Sequence, residues 1–304
     1  MRKTLAILAA VLMLLPAMAA AETIVASFYP IYALTVNLLD GLEDEIELTT
    51  LATPDTGCLH DYQLSTGDMK ALSQADAFLI CGAGMESYLD MVYDAFPALP
   101  VVEAAEGIEL IDDDGEAHEH AEASGHHHDH EEVNAHVWLD VANAEAMVRN
   151  ICAGLCELLP QYAERLNANC DAYLVRLDTL DQDLHEGLAH VNRRDIVTFH
   201  EAFPYFAKAY GLHVAAVVNQ EPGDALSPAA LSRLISTVAA LGNPPLFTEP
   251  QYDSIAAQTV AAETGARIYE LDPVVTGPRT RPEALTAYEN AMRNNLAVLQ
   301  EALN

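Results

Sequence analysis

The sequence predicts an α/β protein of two lobes, each a mostly parallel sheet flanked by helices, joined by one long rigid helix. Three observations predict it. Short runs of strand-forming residues alternate with helix-patterned runs between residues 23 and 103, and strands separated by helices imply parallel pairing. The same alternation restarts at residue 195 and continues to 271. Between the two stretches, residues 161–191 hold no proline and one glycine, about thirty residues that would span roughly 45 Å if wholly helical. No Gly/Ser-rich linker divides the chain, so the boundary falls inside that helix. The expected units are 22–158, a connecting helix at 159–192, and 193–304.

Taken in order, residues 1–21 read as a secretory leader. Arg2 and Lys3 precede an apolar run from Leu5 to Leu15, and small residues around Ala17, Ala19 and Ala21 offer a cleavage site. The apolar run is too short for a membrane span, so an exported mature chain starting near Glu22 is expected. Strands are expected at 23–28, 45–51, 77–82 and 101–103. Helices fill the intervals at 31–41 and 66–75, the second with Thr66 as its N-cap. Residues 104–135 break the pattern; within them, an acidic, His-rich loop at about 112–133 has no apolar periodicity. A helix from Val141 ends at Pro160, and the long helix follows. The second lobe offers strands at 195–200, 212–218, 244–249 and 266–271, with helices near 201–210, 228–241, 253–264 and 281–303.

The formal charge is −32, deeper still once Arg2 and Lys3 leave with the leader. Such a field repels nucleic acid and anionic lipid and concentrates cations. Five cysteines leave at least one unpaired. Cys152 and Cys170 flank Pro160 by eight and ten residues, which puts them level on adjacent helices if Pro160 marks the turn; that pair is the expected disulfide.

The stretch EAHEHAEASGHHHDHEEVNAHVWLD, 116–140, holds seven of the 12 histidines. His118, His120, His126, His127, His128 and His130 form a weak auxiliary metal-binding set in the loop, or simply its solvated face. More specific residues stand just beyond strand ends, where ligands bind in open parallel sheets. His60 follows the strand at 45–51 by a loop, His200 ends DIVTFH, and Asp272 ends RIYELD. His136 lies six residues past the histidine run and precedes a helix. Three imidazoles and a carboxylate from both halves of the chain suit tetrahedral Zn²⁺, whereas Mn²⁺ favours more oxygen ligands. Glu249, which also ends a strand, is the rival carboxylate, and Cys58 is a possible soft ligand. His185 and His190 are five apart, about 140° around a helix, and cannot share a metal as the four-apart histidines of metalloproteases do.

These motifs resemble a known family, the zinc- and manganese-binding solute receptors of bacterial ABC importers. HDYQLSTGDMKALSQADAFLICGAGMESYL resembles the family's first metal histidine and following helix–strand–turn. NAHVWLD resembles its Asp-Pro-His-x-Trp-Leu-Asp motif, and FHEAFPYFAKAYGL its Ser-His-x-Ala-Phe-x-Tyr-Phe segment. EPGDALSP, FTEPQYDS and YELDP follow in the family's order. The resemblance covers nearly the whole mature chain and implies that His60, His136, His200 and Asp272 are the metal ligands. Manganese members usually carry Glu at the position of His200, and most lack a His-rich insertion, so zinc is favoured. Leu59, Gln63, Asn134-Ala135 and Phe199 depart from the family's pattern around those ligands.

The resemblance implies a monomeric extracytoplasmic receptor that performs no catalysis. It would capture Zn²⁺ as transported ligand, with little lobe movement, and deliver it to an ABC importer permease. The alternatives are a receptor of the same fold for Mn²⁺ or Fe²⁺, a zinc hydrolase with an open water position, and a metal-buffering adhesin.

Overall fold

In the computed structural model, residues 21–53, 56, 59, 62–112, 133–218, 226–251, 255–278 and 280–304 are described. The first lobe runs β1 (Glu22–Ala26), α1 (Tyr29–Leu38), β2 (Ile46–Thr50), α2 (Thr66–Leu72), β3 (Ala77–Ile80), α3 (Leu89–Ala95) and β4 (Val101–Glu103). Its strands are all parallel, in the order β2-β1-β3-β4. The inner strands are continuous apolar runs, Ile24-Val25-Ala26 and Ala77 to Ile80, and all of these residues are buried. A parallel strand covered by helices on both faces has no polar side to show.

Two helices then carry the chain between lobes: α4 (Val141–Leu158), capped by Asp140 accepting from the Ala142 amide at 2.9 Å, and α5 (Ala163–Leu188). The 26 residues of α5 span about 39 Å. Its buried positions, Leu166, Cys170, Tyr173, Leu177, Leu180, Leu184 and Leu188, recur every three or four residues, the spacing of one helix face. That face packs against α1 and α4 of the first lobe and, further along, against elements of the second.

The second lobe repeats the plan with β5 (Asp195–Thr198), α6 (Pro204–Tyr210), β6 (His213–Val217), α7 (Pro228–Ala240), β7 (Leu246–Thr248), α8 (Ile255–Thr264) and β8 (Ile268–Glu270), then α9 (Arg281–Ala284) and α10 (Ala287–Leu303). Strand order is β6-β5-β7-β8, parallel throughout, the same winding as the first sheet. One apolar core runs from the first sheet along α4 and α5 to Phe206, Leu271, Val274, Tyr288 and Leu299; a smaller one lies inside the second lobe around Val197, Val238, Leu246 and Val260.

Local readings are corrected in four places. The N-cap of α2 is Ser65: its hydroxyl accepts from the Asp68 amide at 3.2 Å while Asp68 accepts from the Ser65 amide at 2.7 Å. Thr66 is already helical, because this reciprocal box needs its acid three residues after the cap. The long helix starts later than expected, since Pro160 opens a 3₁₀ turn, Pro160–Tyr162. The expected helix at 281–303 is broken between α9 and α10. Cys152 and Cys170 do lie together between α4 and α5, but both are free thiols. The Cys152 thiol points to the Leu166 carbonyl at 3.6 Å instead of bonding across. Among the described residues no helix is long and apolar enough to cross a membrane; residues 1–20 of the expected leader, 1–21, lie outside them.

Candidate metal centre

Strand order places a crevice at the carboxyl ends of the two inner strands of each sheet, where successive connections diverge to opposite faces. In the second lobe those strands are β5 and β7. Their register pairs Thr198 with Phe247, and the Phe199 amide donates to the Phe247 carbonyl at 3.0 Å. His200 and Glu249 therefore leave adjacent strands side by side. The His200 Nδ1 lies 2.6 Å from Glu249 Oε1, with Glu249 only 4% exposed. A carboxylate oxygen accepts, so Nδ1 carries the hydrogen and Nε2 is the nitrogen left to bind a cation. The other carboxylate oxygen, Glu249 Oε2, is buried and has no hydrogen-bond partner among the described residues.

The equivalent crevice of the first lobe, between β1 and β3, also holds a glutamate. Glu86 Oε1 accepts from the Ser27 hydroxyl and the Cys81 amide, both at 2.7 Å, and Oε2 accepts from the Gly82 amide at 3.0 Å. Burial pushes its carboxyl up to about 7, although the three donors pull the other way. Here the glutamate orders a turn, Gly82-Ala83-Gly84, in which all three residues have positive φ.

His136 arrives from the chain between the lobes. It precedes a single 3₁₀ turn, Val137–Leu139, and is fully buried. Its ring stands 4.9 Å from that of His200, centroid to centroid, at 87°. Trp138 behind it has no exposed surface, meets Phe28 edge-on at 5.3 Å and donates its indole N–H to the Pro273 carbonyl at 2.8 Å. The Tyr288 hydroxyl donates to the Trp138 carbonyl at 2.7 Å. The turn that presents His136 is thus bolted to the second lobe.

Asp272 lies just past β8. Its backbone exchanges two hydrogen bonds with the Asn295 side chain, at 2.8 and 2.7 Å, and its Oδ1 accepts from the Val274 amide at 2.7 Å. Its carboxyl is raised from the usual range by burial, countered by the Val274 amide and reinforced by the nearby charge of Glu249.

Of the sequence-derived ligands, the structure brings His136 and His200 together and sets Asp272 one strand beyond Glu249. His60 and Cys58 lie outside the described residues, as do His118, His120, His126, His127, His128 and His130. Among the described residues no three His, Cys, Asp or Glu side chains converge closely enough to hold an ion. Glu249, read from sequence as a rival ligand, is engaged with His200. Sequence reasoning missed Glu86, whose signal was a carboxylate just after the Gly-x-Gly turn.

A family model described as "Zinc-uptake complex component A periplasmic" matches residues 24–302. The chain is 29% identical over 287 residues to the zinc-binding protein AdcA of Streptococcus pyogenes, an alignment covering 91% of this chain and 55% of that one. It therefore spans about half the length of those relatives. It is 27% identical over 316 residues to the high-affinity zinc uptake system protein ZnuA of Brucella suis, covering 91% of this chain and 92% of that one. The solute-binding protein FpvC of Pseudomonas aeruginosa, solved in complex with Mn²⁺, superposes with a TM-score of 0.78 at 26% identity, covering 93% and 99% of the two chains.

Proposed function

Because this chain belongs to the zinc-uptake complex component A family, we propose that it is an extracytoplasmic receptor that captures Zn²⁺ and delivers it to the permease of an ABC importer. His60, His136, His200 and Asp272 hold the ion between a first lobe at 22–158 and a second at 193–304, with 159–192 as the rigid connector. The chain acts as a monomer exported behind residues 1–21, and its chemistry is capture and release.

The observation that carries this reading is the buried imidazole of His136 and the part-buried imidazole of His200, ring centroids 4.9 Å apart, each with a buried oxygen acceptor at Nδ1. An acceptor at Nδ1 leaves Nε2 as the metal-binding nitrogen and raises its basicity. Glu249 serves as the orienting carboxylate for His200, which leaves Asp272 as the oxygen ligand. The acidic surface draws cations toward the crevice, and the histidines of 118–130 act as a weak collector.

Equilibrium zinc titration of metal-stripped protein tests the assignment. His200→Ala should weaken binding far more than deletion of residues 116–130. Abolished binding in the deletion with unchanged binding in His200→Ala would overturn it. The likeness to the Mn²⁺ complex of FpvC supports a second reading, a manganese receptor. In competition, zinc should displace manganese at equimolar concentration; the reverse order selects the second reading.

A further inference from the structure

Asn134 stands two residues before His136, is 3% exposed, and has every polar group engaged. Its amide N–H donates to the Ile111 carbonyl at 2.9 Å, and its carbonyl accepts from the Tyr205 hydroxyl at 2.8 Å. Its side-chain Nδ2 donates to the Glu201 carbonyl at 2.7 Å. Its Oδ1 faces the backbone N–H of His136 at 3.0 Å and the ring Nδ1 of His136 at 3.2 Å.

The two ends of an Asn amide are told apart only by their partners. Here both partners are unambiguous, because a carbonyl can only accept and a backbone N–H can only donate. The NH₂ therefore points at Glu201, and the oxygen at His136. With an oxygen acceptor opposite it, His136 Nδ1 must carry the ring hydrogen, which commits Nε2 to a cation. The same amide group grips the residue that follows His200. One side chain thus sets the tautomer of one imidazole and ties its segment to the segment carrying the other.

We propose that Asn134 is a positioning residue for the metal centre: it holds His136 as the Nδ1–H tautomer and, through its bond to the Glu201 carbonyl, fixes the spacing of His136 and His200. This rests on the reading that both histidines bind the ion. Asp at this position separates the two tasks. A carboxylate still accepts from His136 but has no hydrogen for the Glu201 carbonyl, which it then faces with two acceptors opposed. Ala removes both tasks.

The test uses the full-length mature protein with ¹⁵N-labelled histidine, first metal-free at pH 8. Long-range ¹H–¹⁵N correlations should show His136 as one Nδ1–H tautomer in the parent and in Asn134→Asp, and as a mixture in Asn134→Ala. Zinc titration should then show a loss on the order of 10- to 100-fold for Asn134→Ala, with Asn134→Asp between it and the parent. A single tautomer in Asn134→Ala, or a parent already mixed, overturns the tautomer task. Parent-like zinc affinity in Asn134→Asp overturns the bridging task, and that variant carries the test if Asn134→Ala does not fold. The metal-free spectra stand apart from the transport reading: a parent with the single tautomer but no zinc affinity would sink that reading and leave the positioning of His136 intact.

Discussion

Glu86 shows how one residue can impose a pH dependence on an entire lobe. Its folded carboxyl titrates near 7, against an unfolded value of 4.5. Below 4.5 it is neutral in both states and costs nothing. As pH rises through the window from 4.5 to about 7, the unfolded chain ionises freely while the folded chain resists. Stability falls by about 3 kcal/mol over that window from this group alone. Glu86→Gln should remove the slope, at a pH-independent cost because its NH₂ would face the Gly82 amide. Urea midpoints of metal-free parent and variant at pH 5, 6 and 7 check this; parallel trends would contradict it. Metal affinity should move the other way. If His136 and His200 hold the ion as proposed, they must be neutral to bind, so zinc affinity should fall as pH is lowered. Equal affinities at pH 7.5 and 5.0 would contradict the histidine ligands.

At the scale of elements, the turn Val137–Leu139 and the segment after β8 behave as one joint. Trp138 donates into that segment at Pro273, and Tyr29 of α1 packs onto it at Gly277. A Cβ added at Gly277 would lie 2.1 to 2.3 Å from two ring carbons and the hydroxyl oxygen of Tyr29, a residue 1% exposed. The ring is held by the core on its other side and cannot swing away. Gly277→Ala should therefore cost about 1–3 kcal/mol through overpacking. Because Asp272 lies five residues upstream, zinc affinity should weaken with it. A urea midpoint and a zinc titration equal to the parent's would show that the joint tolerates displacement.

For the molecule as a whole, the larger core crosses from one lobe to the other along α5 and has no break at the lobe boundary. Lobes that share a core neither swing widely nor unfold independently. The one tryptophan of the chain, Trp138, sits at this junction and reports on both properties. Its emission and the far-UV circular dichroism should change together in a single urea transition, with dichroism leading only if the smaller core of the second lobe melts first. Saturating zinc should leave the emission nearly unchanged while raising stability by about 2.7 kcal/mol at a hundredfold excess over Kd. A large spectral shift on zinc addition would indicate lobe closure.

All eight strands among the described residues, the long helix and the restart of the β/α pattern were legible in the chain, because strand and helix periodicity are written in residues a few positions apart. His136, His200 and Asp272 could be put forward as candidate ligands for the same reason, since each stands next to a strand end or a recognisable turn. What the chain could not show by itself depends on distant partners. Asn134 meets Glu201 across 67 positions, His200 meets Glu249 across 49, and Trp138 meets Pro273 across 135. Only folding brings these together, and they decide which nitrogen of each imidazole carries its hydrogen and that Glu249 orients a histidine. Likewise, helix geometry could place Cys152 and Cys170 level, but that both stay free thiols, with Cys152 turned to the Leu166 carbonyl, was settled by the packing between α4 and α5. Local order is set by neighbours along the chain, and the chemistry of the crevice by neighbours in space.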